Sequence, residues 1–335
     1  MVGSAFEHRL AAREVRATET SDKGSCRKNP CRDSSRSRAS RIDRLMFQRV
    51  LLIGSKGQLG SQLLKELPGE VFGITREQLD LAASRCVIEQ VLGKLLDRYQ
   101  PDIVINAAAY TAVDRAQSDE ALAQQVNAWF PGALGALAKE VPVIHFSSDY
   151  VFDGLAMRPY TEEDTPNPLS VYGASKWRGE VAVLESNPKA TVLRCSWVVG
   201  SHGQNFAKTM LRLACEKEVL RIVNDQYGVP TPTPFVAAEL NRCLASSIPA
   251  GLFHLVPSGE TTWYRYALWI IERASSHPNW QKQLRLGKDQ LIGISSDEYP
   301  TIAKRPANSR LDTYKWRNNT GKPALIDWQE ALEPV

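Results

Sequence analysis

The chain has 335 residues, 43% of them hydrophobic, enough for one large domain or a nucleotide-binding domain with a smaller lobe. No apolar run approaches the roughly 20 residues of a membrane span, which argues against a membrane partner. The net charge of +4 sits in the tail: residues 1–45 hold eleven Lys/Arg against six Asp/Glu and the remainder thirty against thirty-one, so a near-neutral body argues against a nucleic-acid partner.

Residues 1–45 are rich in Ser and Arg, poor in large apolar residues and without period, and are expected to be a disordered basic N-terminal extension. They contain no apolar core of a secretory signal, and six acids weigh against an organelle transit peptide. Met46, just ahead of the first strand, is read as the natural start, which implies a cytoplasmic protein. Val50-Leu51-Leu52-Ile53 fits a buried parallel strand, followed by the turn Gly54-Ser55-Lys56-Gly57-Gln58-Leu59-Gly60 and a helix through Leu67. Val71–Ile74 and Ile103–Ile105 are the next strands, separated by a helix over Val87–Arg98. A helix over Glu120–Glu140, kinked at Pro131, precedes strand Val143–Phe146. The helix bearing Tyr172 runs to about Glu185, and Thr191–Arg194 is a further strand.

This alternation predicts an α/β fold, a doubly wound parallel (Rossmann-type) sheet spanning roughly residues 46–200. The Pro- and Gly-rich segments from about residue 225 read as a smaller C-terminal substrate-binding lobe. Cys26, Cys31, Cys86, Cys195, Cys215 and Cys243 form no Cys-x-x-Cys and read as free thiols in a reducing compartment. His145 and His254 lie in apolar runs and read as core, as do Trp263, Tyr264, Tyr266 and Trp269 on a predicted helix.

Chemistry concentrates in Tyr172-Gly173-Ala174-Ser175-Lys176. A tyrosine and a lysine four residues apart share one helix face. The ammonium is expected to favour the phenolate and pull its pKa toward neutrality, making Tyr172 a general acid for a carbonyl or alcohol oxygen. Ser148, closing the fourth strand, offers a hydroxyl to the same oxygen. Gly54, Gly57 and Gly60 suit a dinucleotide: a tight turn, close approach of a pyrophosphate, and close helix–strand packing. An acid at the end of the second strand would favour NAD, but the strand runs into Thr75-Arg76. Arg76 can pair with a 2′-phosphate, which points to NADPH with NADH as the alternative. Asp80 and Leu81 are placed beside the adenine, and the small residues Ala107, Ala108 and Ala109 against the cofactor ribose and phosphate.

The glycine turn, Asn106–Asp114, Ser148–Gly154 and Tyr172–Lys176 resemble the extended short-chain dehydrogenase/reductases. Arg194–Gly200, Asp225–Thr231 and Arg305–Asp312 are similar to blocks of one family among them, the dTDP-4-dehydrorhamnose reductases. The resemblance covers about residue 48 to the C-terminus. It implies reduction of a dTDP-4-dehydro-6-deoxy sugar by NADPH, Tyr172 as proton donor, and Lys176 as its activator and ribose ligand. It places Gln58 and Leu59 at the cofactor, and Asp149, Tyr150 and Trp197 on the dTDP-sugar substrate. Ser148 stands where the family often has threonine. Some members dimerise through magnesium held by glutamates. Residue 59, near one such position, is leucine, so no metal is expected, and the chain is a monomer or homodimer. Two other readings are open: a sugar-nucleotide epimerase or dehydratase of the same fold, or a non-catalytic nucleotide-binding subunit resembling the methionine adenosyltransferase β subunit. The absence of a glutamate after Ser148-Asp149 counts against a dehydratase.

Overall fold

The first strand, β1 (Arg49–Ile53), has four buried apolar residues in a row, as a strand covered on both faces requires. It opens a computed structural model that describes residues 47–335; the extension expected to be disordered lies outside them. α1 (Gln58–Glu66), β2 (Glu70–Ile74), α2 (Arg85–Tyr99) and β3 (Ile103–Asn106) follow in alternation. Then come short helices α3 (Val113–Ala116) and α4 (Glu120–Gln124), a π turn over Gln125–Trp129, and α5 (Phe130–Leu137). β4 (Val143–Ser148), α6 (Val171–Ser186) and β5 (Thr191–Cys195) complete the first part.

The long helix predicted over Glu120–Glu140 is therefore broken before its proline. Pro131 has no N–H to offer the Asn127 carbonyl four residues earlier. The ladder slips by one residue there, with the Phe130 N–H bonding back to Gln125 O.

The remaining elements are β6 (Val198–Val199), α7 (Phe206–Glu216), β7 (Leu220–Val223), β8 (Tyr227–Gly228), β9 (Thr231–Pro232) and α8 (Thr233–Leu244). β10 (Gly251–His254), β11 (Thr261–Thr262), α9 (Trp263–Ser276), α10 (Pro278–Gln281), β12 (Leu291–Ile294), α11 (Tyr314–Thr320) and α12 (Trp328–Leu332) follow.

The main sheet has six strands in the order β2-β1-β3-β4-β5-β10, every neighbouring pair parallel. Successive residues of β1 feed opposite faces: Val50 and Leu52 pack with Leu63 and Leu240, while Leu51 and Ile53 pack with Leu92 and Phe130. This is the doubly wound arrangement. Strand order reverses between β1 and β3, and the glycine turn leaves the sheet there, at the crevice where such folds take ligands. A third core joins α7, α9 and the parallel pair β7–β12 through Met210, Ile222, Ile270 and Leu291. Residues beyond 225 also return to the main sheet. α8 packs beside α1 in the first core, and β10 pairs with β5 at the edge.

Candidate active site

Gly54 has φ +83, and a Cβ there would stand 2.7 Å from the Ala108 backbone nitrogen. Only glycine lets the turn press this closely on the chain leaving β3. The first N–H groups of α1 have no helical acceptor ahead of them, and no side chain caps them. The turn thus presents Gln58 and Leu59 amides and a positive helix end, the donor set that a pyrophosphate takes. Ala107, Ala108 and Ala109 line the neighbouring strand end, all half-buried. The Gln58 side chain points away: it donates to Val198 O at 2.9 Å and accepts from Asn205 Nδ2 at 2.8 Å.

At the end of β2, Arg76 is 79% exposed along its side chain and sits 3.4 Å from Asp80 Oδ1. Such an exposed pair is weak and leaves the guanidinium available to another anion. Leu81 is buried, and its carbonyl accepts from Gln125 Nε2 at 2.8 Å.

The second cluster forms where β4 meets the first turn of α6. The Ser170 hydroxyl caps α6 by accepting from Gly173 N at 3.2 Å. A Cβ on Gly173 would stand 2.1 Å from Tyr150 O, so its absence lets α6 press on the 3-10 turn Asp149–Val151. The Tyr150 ring then meets Tyr172 edge-on at 5.9 Å. The Ser148 hydroxyl lies beside the Tyr172 phenol. It also donates to Asp149 Oδ1 at 2.9 Å and accepts from Tyr150 N at 3.2 Å.

Lys176 corrects one expectation. Its ammonium is buried and donates to Phe146 O at 2.6 Å, and it does not depress Tyr172. Burial instead pushes the Tyr172 phenol up to about 12, against the neighbouring Ser148 hydroxyl, which favours the phenolate. Burial also draws Lys176 down to about 8, opposed by Glu180 one helical turn on. In this chain alone the pair is poised with Tyr172 firmly protonated, as a proton donor must be.

Trp197 holds a left-handed backbone at φ 45, rare for a bulky residue. One face of its indole stacks on Trp263 at 3.6 Å, and a Cβ on Gly228 would stand 2.6 Å from the ring. The expected flat sugar platform is thus one-sided. His145 and His254 are buried, in line with their reading as core.

Residues 48–335 match the family described as the RmlD substrate binding domain. The chain is 41% identical over 296 residues to the dTDP-4-dehydrorhamnose reductase of Escherichia coli K12, covering 85% of this chain and 95% of that one. The crystal structure of dTDP-4-dehydrorhamnose reductase from Bacillus anthracis, in complex with NADP, superposes with a TM-score of 0.78 at 31% identity, covering 86% of this chain and 98% of that one. The Clostridium acetobutylicum ortholog superposes at 0.75 with 34% identity, covering 85% and 97%. The chain belongs to the dTDP-4-dehydrorhamnose reductase family.

Several residues around this candidate site escape sequence reasoning. Asn127, in the π turn, donates to Ser175 Oγ at 3.0 Å and Tyr110 O at 2.9 Å, bracing α6 from behind. A Cβ on Gly179 would stand 1.9 Å from Asn127 O. The signal was Pro131, four residues on. Arg305 makes a bidentate pair with Asp114 at 2.7 and 2.9 Å, tying the C-terminal segment to the chain after β3. Ser309 lies beside Asp149, and no local pattern announces that contact.

Proposed function

We propose that the chain reduces the 4-keto group of dTDP-4-dehydro-6-deoxy-L-mannose, giving dTDP-L-rhamnose, with NADPH as reductant. The observation that carries the reading is the convergence of the Tyr172 and Ser148 hydroxyls with buried Lys176 at the end of β4. The open helix start at Gln58 lies on the same edge of the sheet. When bound, NADPH supplies the hydride for C4.

The protein's own residues do the rest. Gly54, Gly57 and Gly60 shape the phosphate turn, and the Gln58 and Leu59 amides hold the pyrophosphate. Ala107, Ala108 and Ala109 let the backbone approach. Arg76 pairs with the 2′-phosphate, while Asp80 and Leu81 flank the adenine. Ser148 fixes the keto oxygen, and Tyr172 gives it a proton as the alkoxide forms. Lys176 holds the nicotinamide ribose and, with the positive charge left after hydride loss, restrains the tyrosinate. Asp149, Tyr150 and Trp197 wall the deoxysugar. The reading places the enzyme in the cytoplasm, as a monomer or homodimer.

The test is an assay with the 4-keto sugar nucleotide, following nicotinamide absorbance with NADPH and NADH in parallel. Stoichiometric oxidation of cofactor with formation of dTDP-L-rhamnose is expected. Conversion without net oxidation would instead mark an epimerase or dehydratase, and no conversion would remove the reductase reading.

A further inference from the structure

Asp149 is a buried carboxyl whose charge the mechanism above does not use. It is 2% exposed at the start of the 3-10 turn after β4. Its Oδ1 accepts from Ser148 at 2.9 Å, and its Oδ2, with Ser309 nearby, has no hydrogen-bond partner among the described residues. Tyr172 from α6, Cys195 from β5, Tyr150 from its own turn and Ser309 from the C-terminal segment surround it. Lys176 donates to Phe146 O and Arg305 pairs with Asp114, and neither bonds the Asp149 carboxyl.

A hydroxyl has one proton and two lone pairs. Ser148 fills one lone pair with the Tyr150 N–H at 3.2 Å. An ionised Asp149 only accepts, so it draws the Ser148 proton to itself. Ser148 then has only a lone pair to offer a keto oxygen that also has only lone pairs. A neutral Asp149 reverses the bond: its O–H donates to Ser148 Oγ, and Ser148 turns its own proton toward the keto oxygen.

We propose that Asp149 is a positioning residue whose neutral carboxyl sets Ser148 as a donor to the C4 oxygen, so that the reductase turns over in its Asp149-protonated form. The inference rests on the reductase reading. Asp149 keeps its proton throughout; Tyr172 supplies the one that the product gains. Burial raises the Asp149 carboxyl to about 6, which makes the neutral form accessible. Tyr172 and Cys195 are each pushed to about 12 and Tyr150 higher still, so none of them titrates nearby. His145 is held neutral by burial, and Lys176, drawn down to about 8, is the one other group of this cluster that titrates near neutrality.

The test compares kcat and KM of wild type, Asp149→Asn and Asp149→Ala from about pH 5 to about pH 9, with saturating NADPH and the 4-keto sugar nucleotide. An asparagine amide donates to Ser148 at every pH. The ratio of Asp149→Asn to wild-type kcat is therefore expected to rise about tenfold between about pH 5 and about pH 7. Asp149→Ala, which cannot donate, should lower kcat about tenfold or more at about pH 5, beyond any rise in KM from the lost sugar contact. A ratio that stays flat with pH, or an alanine variant that changes only KM, overturns the proposal. A second measurement needs neither turnover nor a folded variant: carboxyl-labelled aspartate in the wild-type chain, titrated by NMR. One resonance should titrate near 6, well above the ordinary aspartate range; its absence also overturns the proposal. Failure of wild-type turnover would remove the reductase reading while leaving this titration to judge Asp149.

Discussion

Two carboxyls lie buried close to the same strand, and the protein treats them in opposite ways. Glu180, on α6, is 2% exposed and takes a bidentate bond from Arg194 at 2.8 and 2.6 Å. Arg194 is itself sandwiched, with the Phe152 ring at 4.9 Å and His254 Nε2 at 3.4 Å. Asp149, equally buried, has one serine bond and a second oxygen with no partner among the described residues. One strand residue beyond Arg194, at Cys195, the environment already belongs to Asp149, Tyr172 and Lys176. Where a charge holds α6 to β5 it is fully matched. Where chemistry is proposed, it is left unmatched. Unmatched burial shifts a proton; matched burial holds a helix.

The comparison breaks first at Glu180. Glu180→Ala should strand the Arg194 charge in the core and cost about 3–5 kcal/mol in chemical denaturation, whereas a joint Glu180→Met and Arg194→Met change should recover much of it. A loss below about 1 kcal/mol would mean that the pair is not what fixes α6.

Next in size is Tyr172→Phe, which removes the proposed general acid but leaves the matched pair, two turns further along α6, untouched. Turnover should fall by about 10²-fold or more with little change in unfolding midpoint. Near-normal turnover would dismiss Tyr172 as proton donor.

The third test reads stability against pH. Burial lifts Asp149 from an ordinary 3.8 to about 6, so the folded chain holds this proton more tightly than the unfolded one. Its contribution is full below the unfolded value and is lost as pH rises through the folded one. Asp149→Asn should therefore gain about 2 kcal/mol relative to wild type between about pH 4 and about pH 7. A pH-independent difference would show that Asp149 is ionised at no such cost.

The smallest effect is expected at the surface. Arg76→Ala removes an exposed cation whose own partner, Asp80, contributes little. The KM for NADPH should rise about tenfold and that for NADH hardly change; equal changes would detach Arg76 from the 2′-phosphate.

Legibility in the sequence follows how local the physics is. The glycine turn is written within seven residues, because strand, tight turn and helix start are neighbours in the chain. Tyr172 and Lys176 are fixed by helical period alone. The alternation of short apolar runs yields the doubly wound sheet, and its alternating faces appear in the two cores. Pro131 announces a disturbance but not its kind; the π turn depends on which carbonyl loses its donor. The Tyr172 pKa direction was misread because spacing reports which groups are near, while burial decides which form survives. The contact between Asp149 and Ser309, the Trp197–Trp263 stack and the return of β10 to the sheet join distant segments, and no window of sequence holds both partners.

Gln58 carries a last consequence. Its amide spans 140 positions to the Val198 carbonyl and accepts a hydrogen bond from Asn205 besides. The glycine turn proposed to hold the dinucleotide is thereby bolted to the start of α7 and to the strand just past Trp197. Neither can drift without dragging the other, so the two reactants meet a single preassembled frame whose dimensions are set before either arrives.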